Sequence, residues 1–180
     1  MRVISGIARG TKLKSLEGLS TRPTLDRVKE SLFNIISNCI YDANVLDLFA
    51  GSGALAIEAL SRGAKKATLC DNNKQAIKII QENIEKTKLT NKANVINIDY
   101  KTFLQSINNE KFDIIFLDPP YGKEMGIEAI NIISQLELLS NEGILILEVD
   151  NTEEVPEKIG IYQTYDERIY GRVKLKLLKL

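Results

Sequence analysis

The sequence predicts an α/β fold, a mostly parallel sheet covered by helices, and three observations carry that expectation. Residues 44–149 alternate short apolar runs with amphipathic helical stretches. A glycine-bearing loop, Asp47-Leu48-Phe49-Ala50-Gly51-Ser52-Gly53, joins the first apolar run to the first of those helices. A later apolar run, residues 112–117, stops at Asp118-Pro119-Pro120-Tyr121, because two prolines cannot continue a central strand.

At the front, residues 2–5 and 11–14 are expected to form a small hairpin across Gly6 to Gly10. Residues 24–38 then read as a helix, with Thr24 as its cap. Residues 45–49 are the first sheet strand, and 54–61 a helix closed by Arg62-Gly63. Residues 67–70 form the next strand. In 73–88 the apolar residues Ala76, Ile77, Ile80 and Ile84 recur at helical spacing. A third strand covers 94–98, and a short helix surrounds 102–107. The fourth strand leads into Asp118. A helix over 124–138 precedes Gly143 and a fifth strand at 144–149. Residues 161–168 and 172–180 read as two strands joined around Tyr170-Gly171, with Val173, Leu175 and Leu177 alternating with Lys174 and Lys176, and an antiparallel hairpin at a sheet edge is expected. The division expected is a front extension, residues 1–40, and a main domain, residues 41–180.

With 180 residues and 44% hydrophobic content, the chain can fill one core. No run is long enough to span a membrane, and the N-terminus lacks the apolar core of a signal peptide, so a cytoplasmic location is expected. Cys39 and Cys70 are expected to be small core residues. There is no His, and no metal site is expected. The formal net charge is zero but unevenly spread. Residues 1–30 hold seven Lys/Arg against three acids, residues 168–180 hold five and no acid, and the middle is acidic. A neutral chain so divided can turn a basic face to a polyanion.

In an open α/β sheet, ligands bind outside the carboxyl ends of the strands. The glycine loop allows a tight turn there, and the following helix offers free N–H donors. Gly51, Gly53 and Ala56 fit a dinucleotide pattern, with Asp71 placed for a ribose diol. Asp47 argues for a different nucleoside. A carboxylate repels a pyrophosphate but suits a sulfonium and an α-amino group, the two cations of S-adenosylmethionine. Asp99 is placed to accept from an adenine amine. At the proline corner, Asp118 and the Pro119 carbonyl are expected to accept from a planar amine, with Tyr121 stacked on its ring.

The chain resembles the RsmD-type bacterial methyltransferases, which modify N2 of a guanine in 16S ribosomal RNA of the small subunit. The resemblance runs nearly full length. It is carried by Met1-Arg2-Val3-Ile4-Ser5-Gly6, Arg9-Gly10-Thr11-Lys12-Leu13, and Thr21-Arg22-Pro23-Thr24-Leu25-Asp26-Arg27-Val28-Lys29-Glu30 with Ser31 to Asn34. The glycine loop, Glu58 to Ala64, Asp118 to Tyr121 and Tyr170-Gly171 complete it. The segment around Thr21 to Glu30 is the most specific. The resemblance implies a Rossmann-like sheet of seven strands, antiparallel at its end, and S-adenosyl-L-methionine as methyl donor. It implies Asp47, Phe49, Ala50, Gly51, Ser52, Gly53, Asp71, Asn72, Asp99 and Tyr100 around that donor. Asp118, Pro119, Pro120 and Tyr121 would hold the base, and Arg2, Arg9, Lys12, Arg22 and Arg27 would meet RNA phosphates. The partner implied is the small ribosomal subunit, met by a monomer. Where the family often has an acid two residues after the ribose carboxylate, this chain has Asn73. Three other readings compete: an adenine-N6 methyltransferase of nucleic acid, an NAD-linked oxidoreductase, and a nucleotide-binding protein without catalysis.

Overall fold

The computed structural model describes residues 1–16, 23–122 and 124–180, without the side chains of residues 23–25. Arg22 therefore lies outside the described residues, and so does the side chain of Thr24. Eight strands form one sheet in the order β3-β2-β1-β4-β5-β8-β7-β6. The strands β1 (Asn44–Asp47), β2 (Lys66–Asp71), β3 (Ala93–Asn97), β4 (Phe112–Leu117) and β5 (Leu139–Asp150) pair in parallel. Beyond β5, β6 (Lys158–Ile159), β7 (Tyr162–Tyr170) and β8 (Val173–Lys179) pair antiparallel. The seven strands expected become eight, because the two-residue β6 adds to the edge of β7. So short a strand leaves no alternation for sequence reasoning to find.

The helices α1 (Pro23–Ile35), α2 (Ala54–Ser61), α3 (Lys74–Thr87), α4 (Tyr100–Ser106) and α5 (Met125–Gln135) cover the sheet. Two apolar clusters result, one on each face. The first joins Val3, Leu13, Val28 and Phe33 of the front extension to Val45, Leu69, Phe116 and Leu177 of the sheet. The second joins Leu46, Ile115 and Leu147 to α4, α5 and Tyr162. Strands buried on both faces read as the continuous apolar runs seen in the sequence. Among the described residues no helix is long and apolar enough to cross a membrane. Cys70 is buried in β2, whereas Cys39 is only partly buried against the first cluster.

The expected front hairpin is reduced to one bridge, Arg2 to Lys12, flanked by Val3 N–H to Thr11 O (3.0 Å) and Leu13 N–H to Met1 O (3.0 Å). Side chains hold this strap down. Buried Glu58 accepts from the N–H groups of Ile4 (2.7 Å) and Ser5 (2.9 Å) and pairs with Lys29 (3.2 Å) and Arg62 (2.8 Å). Lys29 Nζ also donates to Arg2 O at 2.6 Å. Burial lowers the Lys29 pKa, and the facing Glu58 opposes that shift. Gly6 is obligatory at the crossing: its φ is +82°, and a Cβ there would lie 1.8 Å from Ser61 O. At the other side, α1 reaches the hairpin through Ser31 and Tyr170, whose hydroxyls hydrogen-bond.

Candidate active site

The carboxyl ends of β1, β2, β4 and β5 open on a cavity of about 520 Å³. Asp47, Phe49, Ala50, Gly51, Ser52, Asp71, Asn72, Tyr100, Asp118, Pro119, Pro120 and Tyr121 line it. The structure thus gathers the glycine loop and the proline corner around one space. Met1, Ser15, Val28, Lys29 and Leu32 of the front extension supply a wall that the sequence did not suggest.

The loop between β1 and α2 is shaped by its own acids. Gly51 and Gly53 have φ of +55° and +75°. A Cβ on Gly53 would also sit 3.1 Å from Leu69 Cδ2, so this glycine allows the loop to pack on β2. Asp71 Oδ2 accepts the Gly51 N–H at 2.9 Å, and its Oδ1 accepts the Asn73 N–H at 2.8 Å. The carboxylate expected at the ribose therefore also holds the loop in place. Asn73 caps α3 by accepting from Gln75 N–H at 2.8 Å, which accounts for an amide at that position. Asn83, buried in α3, donates to Ser52 O (2.9 Å) and Lys14 O (3.0 Å), tying the loop to the front strap.

Asp47 lies on the cavity floor and is 1% exposed. Its Oδ2 accepts the Ala56 N–H at 3.3 Å, while Oδ1 is buried without a partner. Burial pushes its pKa up to about 7; the Ala56 bond opposes this and nearby Asp71 adds to it. An orphaned buried acceptor in a cavity floor calls for a donor, and a cationic one suits it best. A pyrophosphate does not.

At the corner after β4, Asp118 is open to the cavity yet ringed by protein. Desolvation, the Glu148 carboxylate and then Asp47 all push its pKa well above the usual range. Glu148, in β5, is raised by its own burial. The Tyr121 hydroxyl donates to Glu148 Oε1 at 3.0 Å, which fixes the ring beside the cavity. Glu148 carries no motif. It reaches the site because β4 and β5 are parallel neighbours with Leu117 opposite Leu147, so that Asp118, just past the end of β4, stands beside Glu148, still within β5. An acid at the carboxyl end of a predicted strand was the only available signal.

Several expected site residues are placed differently from the rest, and Gly53 and Asp99 do not line the cavity. Asp99 caps α4, its Oδ1 accepting from Lys101 N–H (3.0 Å) and Thr102 N–H (3.4 Å), while its neighbours Ile98 and Tyr100 line the cavity. Tyr100 packs on Phe49 at 5.1 Å between ring centroids and donates to Glu128 at 2.7 Å. Arg2, Arg9 and Arg27 meet around a separate polar cavity of about 400 Å³, shared with Asp26 and Glu30. Exposed Lys12 does not line it. The C-terminal bases are largely paired: Arg168 with Asp166, Arg172 with Asp150, and buried Lys176 with Glu157 and Glu167. Among the described residues no three potential metal ligands cluster.

Comparison with known proteins places this architecture. The family model described as conserved hypothetical protein 95 matches residues 1–179. YlbH of Bacillus subtilis is 40% identical over 99% of this chain and 98% of its own. Ribosomal RNA small subunit methyltransferase D of Escherichia coli K12 is 35% identical over 98% of this chain and 88% of its own. The solved structure of yhhF from Escherichia coli superposes with a TM-score of 0.88 at 35% identity, covering 99% of this chain and 96% of that one.

Proposed function

The chain belongs to the conserved hypothetical protein 95 family, that of ribosomal RNA small subunit methyltransferase D, and on this premise we propose that it methylates the exocyclic N2 amine of a guanine in 16S ribosomal RNA of the small subunit, with S-adenosyl-L-methionine as donor. The observation that carries the reading is the juxtaposition in one cavity of Asp47, an orphaned buried acceptor, and Asp118, an open carboxylate at the proline corner.

S-adenosylmethionine supplies an electrophilic methyl group. Asp47 faces its cationic end, and the Asp71 carboxylate, already holding Gly51 and Asn73, has lone pairs left for a ribose diol. Phe49, Ala50 and Ser52 would close the loop around it, with Gly53 making the turn behind them, and Asn72 and Tyr100 would line the nucleoside side. Asp99, whose neighbours Ile98 and Tyr100 line the cavity, would accept from the adenine amine through the oxygen that does not cap α4.

The guanine amine is a weak nucleophile because its lone pair is delocalised into the ring. Asp118 and the Pro119 carbonyl accept its two N–H bonds and turn that lone pair toward the methyl group. Tyr121, held by Glu148, stacks on the flipped base, and Pro120 keeps the corner rigid. Positioning and charge would then carry the transfer: the N–C bond would form as the S–C bond breaks, S-adenosylhomocysteine would leave, and the proton lost by the amine would pass to Asp118 or to solvent. Arg2, Arg9 and Arg27, with Lys12 and Arg22, neutralise RNA phosphates outside the cavity.

Tritiated methyl transfer to small subunits from cells lacking this protein tests the reading, with the labelled nucleoside identified after digestion. N2-methylguanosine is expected. Label in N6-methyladenosine, or no label, would overturn it. Asp118→Ala should lower turnover about 10²–10³-fold while S-adenosylhomocysteine binding by calorimetry is retained; unchanged turnover would remove Asp118 from the mechanism.

A further inference from the structure

The proline corner serves any planar amine, so it does not by itself separate guanine N2 from adenine N6. The cavity contains a group that does. Glu148 lines it next to Asp118, projecting from the neighbouring parallel strand, and strands so paired run about 4.8 Å apart. The Tyr121 hydroxyl occupies Glu148 Oε1 and leaves Oε2 for a ligand. No Lys or Arg of the described residues pairs with either carboxylate, unlike Glu58 or Asp150, which hold Arg62 and Arg172. In its ionised form the Glu148 side chain offers only acceptors and demands a donor from whatever enters.

Guanine presents two donors side by side on its pairing edge, N1–H and the 2-amino group. Adenine presents its 6-amino group beside N1, which is an acceptor. We propose that Glu148 is the specificity-determining residue of this site: it accepts N1–H of guanine while Asp118 accepts from the 2-amino group. Facing adenine, the ionised Glu148 carboxylate would meet the N1 lone pair, and both acceptors would be left unpaired. This assignment rests on the reading of the cavity as a guanine-N2 site and adds the means by which it rejects other amines.

The test uses two reassembled small subunits. One carries the natural guanosine at the methylated position, the other 2,6-diaminopurine riboside there. The analogue keeps the 2-amino group but has an acceptor at N1. The parent protein should favour the guanosine particle by about ten- to hundredfold in kcat/KM, the size of one well-made base contact. Equilibrium binding of the S-adenosylhomocysteine-saturated protein should favour it in the same direction. In Glu148→Gln the side-chain amide can turn its NH2 toward N1, so the preference should fall to within about threefold. Equal treatment of the two particles by the parent would overturn the assignment whatever the variant does. So would an undiminished preference in a Glu148→Gln protein that binds S-adenosylhomocysteine like the parent. If the parent makes no N2-methylguanosine on the natural particle, the guanine-N2 reading itself fails, which is a separate result.

Discussion

One oxygen of Asp47 accepts the Ala56 N–H, and the other lies on the cavity floor with no partner. The folded carboxyl pKa, raised by burial to about 7 from 3.8, has two consequences of defined sign. The empty folded protein keeps a proton that the unfolded chain has already lost. This contribution to stability is complete below the ordinary value and disappears as pH rises toward about 7. A cationic ligand reverses the preference by favouring the ionised form. S-adenosylhomocysteine, which keeps the α-amino group, should therefore bind roughly tenfold more weakly at pH 6 than at pH 8 by calorimetry. Asp47→Asn should bind it with little difference between the two. A parent affinity that does not change with pH would show that Asp47 is not the contact. Asp47 and Asp118 were both legible as candidates because each sits in a local pattern. Glu148 was not, because its place depends on which strand lies beside β4.

The front strap illustrates how elements are held by single residues. Gly6 and Gly10 have nearly the same left-handed φ, +82° and +83°, but only Gly6 crosses α2 within reach of Ser61. Gly10→Ala should cost about 1 kcal/mol, the strain of the backbone alone. Gly6→Ala adds a collision with main chain and should cost about 3 kcal/mol or more. Thermal unfolding separates them, since 1 kcal/mol is worth about 2–4 °C in a chain of this size. Equal loss would mean the strap does not need its close approach. The β7–β8 hairpin, α1 and the five parallel strands were readable from period and punctuation, as was a turn-back at the front. The reduction of the hairpin to one bridge was not, because side chains from α1, α2 and α3 now hold what strand pairing would have held.

Across the whole molecule, the two basic ends part company. Of the C-terminal bases, Arg168, Arg172 and Lys176 are drawn into ion pairs along the antiparallel edge, with Lys176 buried between Glu157 and Glu167. At the front, Arg2, Arg9 and Arg27 gather on one surface, with Arg2 also beside Asp26 at 3.8 Å. The expectation of a basic face therefore narrows to the front extension. On the proposed function, binding to ribosomal RNA should weaken as salt rises. Replacing Arg2, Arg9 and Arg27 together by Ala should make the log–log salt slope shallower by about 2–3, near one counterion per lost phosphate contact. An unchanged slope, read by filter binding across a salt series, would place the RNA elsewhere.

By itself the sequence determined the alternation that makes a parallel sheet, the glycine turn after its first strand and the proline stop after its fourth, since each is set by residues adjacent in the chain. Only the tertiary structure decided that Asp118 and Glu148 stand together, that the front strap walls the cavity, and that Arg168, Arg172 and Lys176 are drawn into ion pairs. Those outcomes depend on strand order and on which distant side chains share a buried space, and desolvation there depends on neighbours that no local pattern specifies.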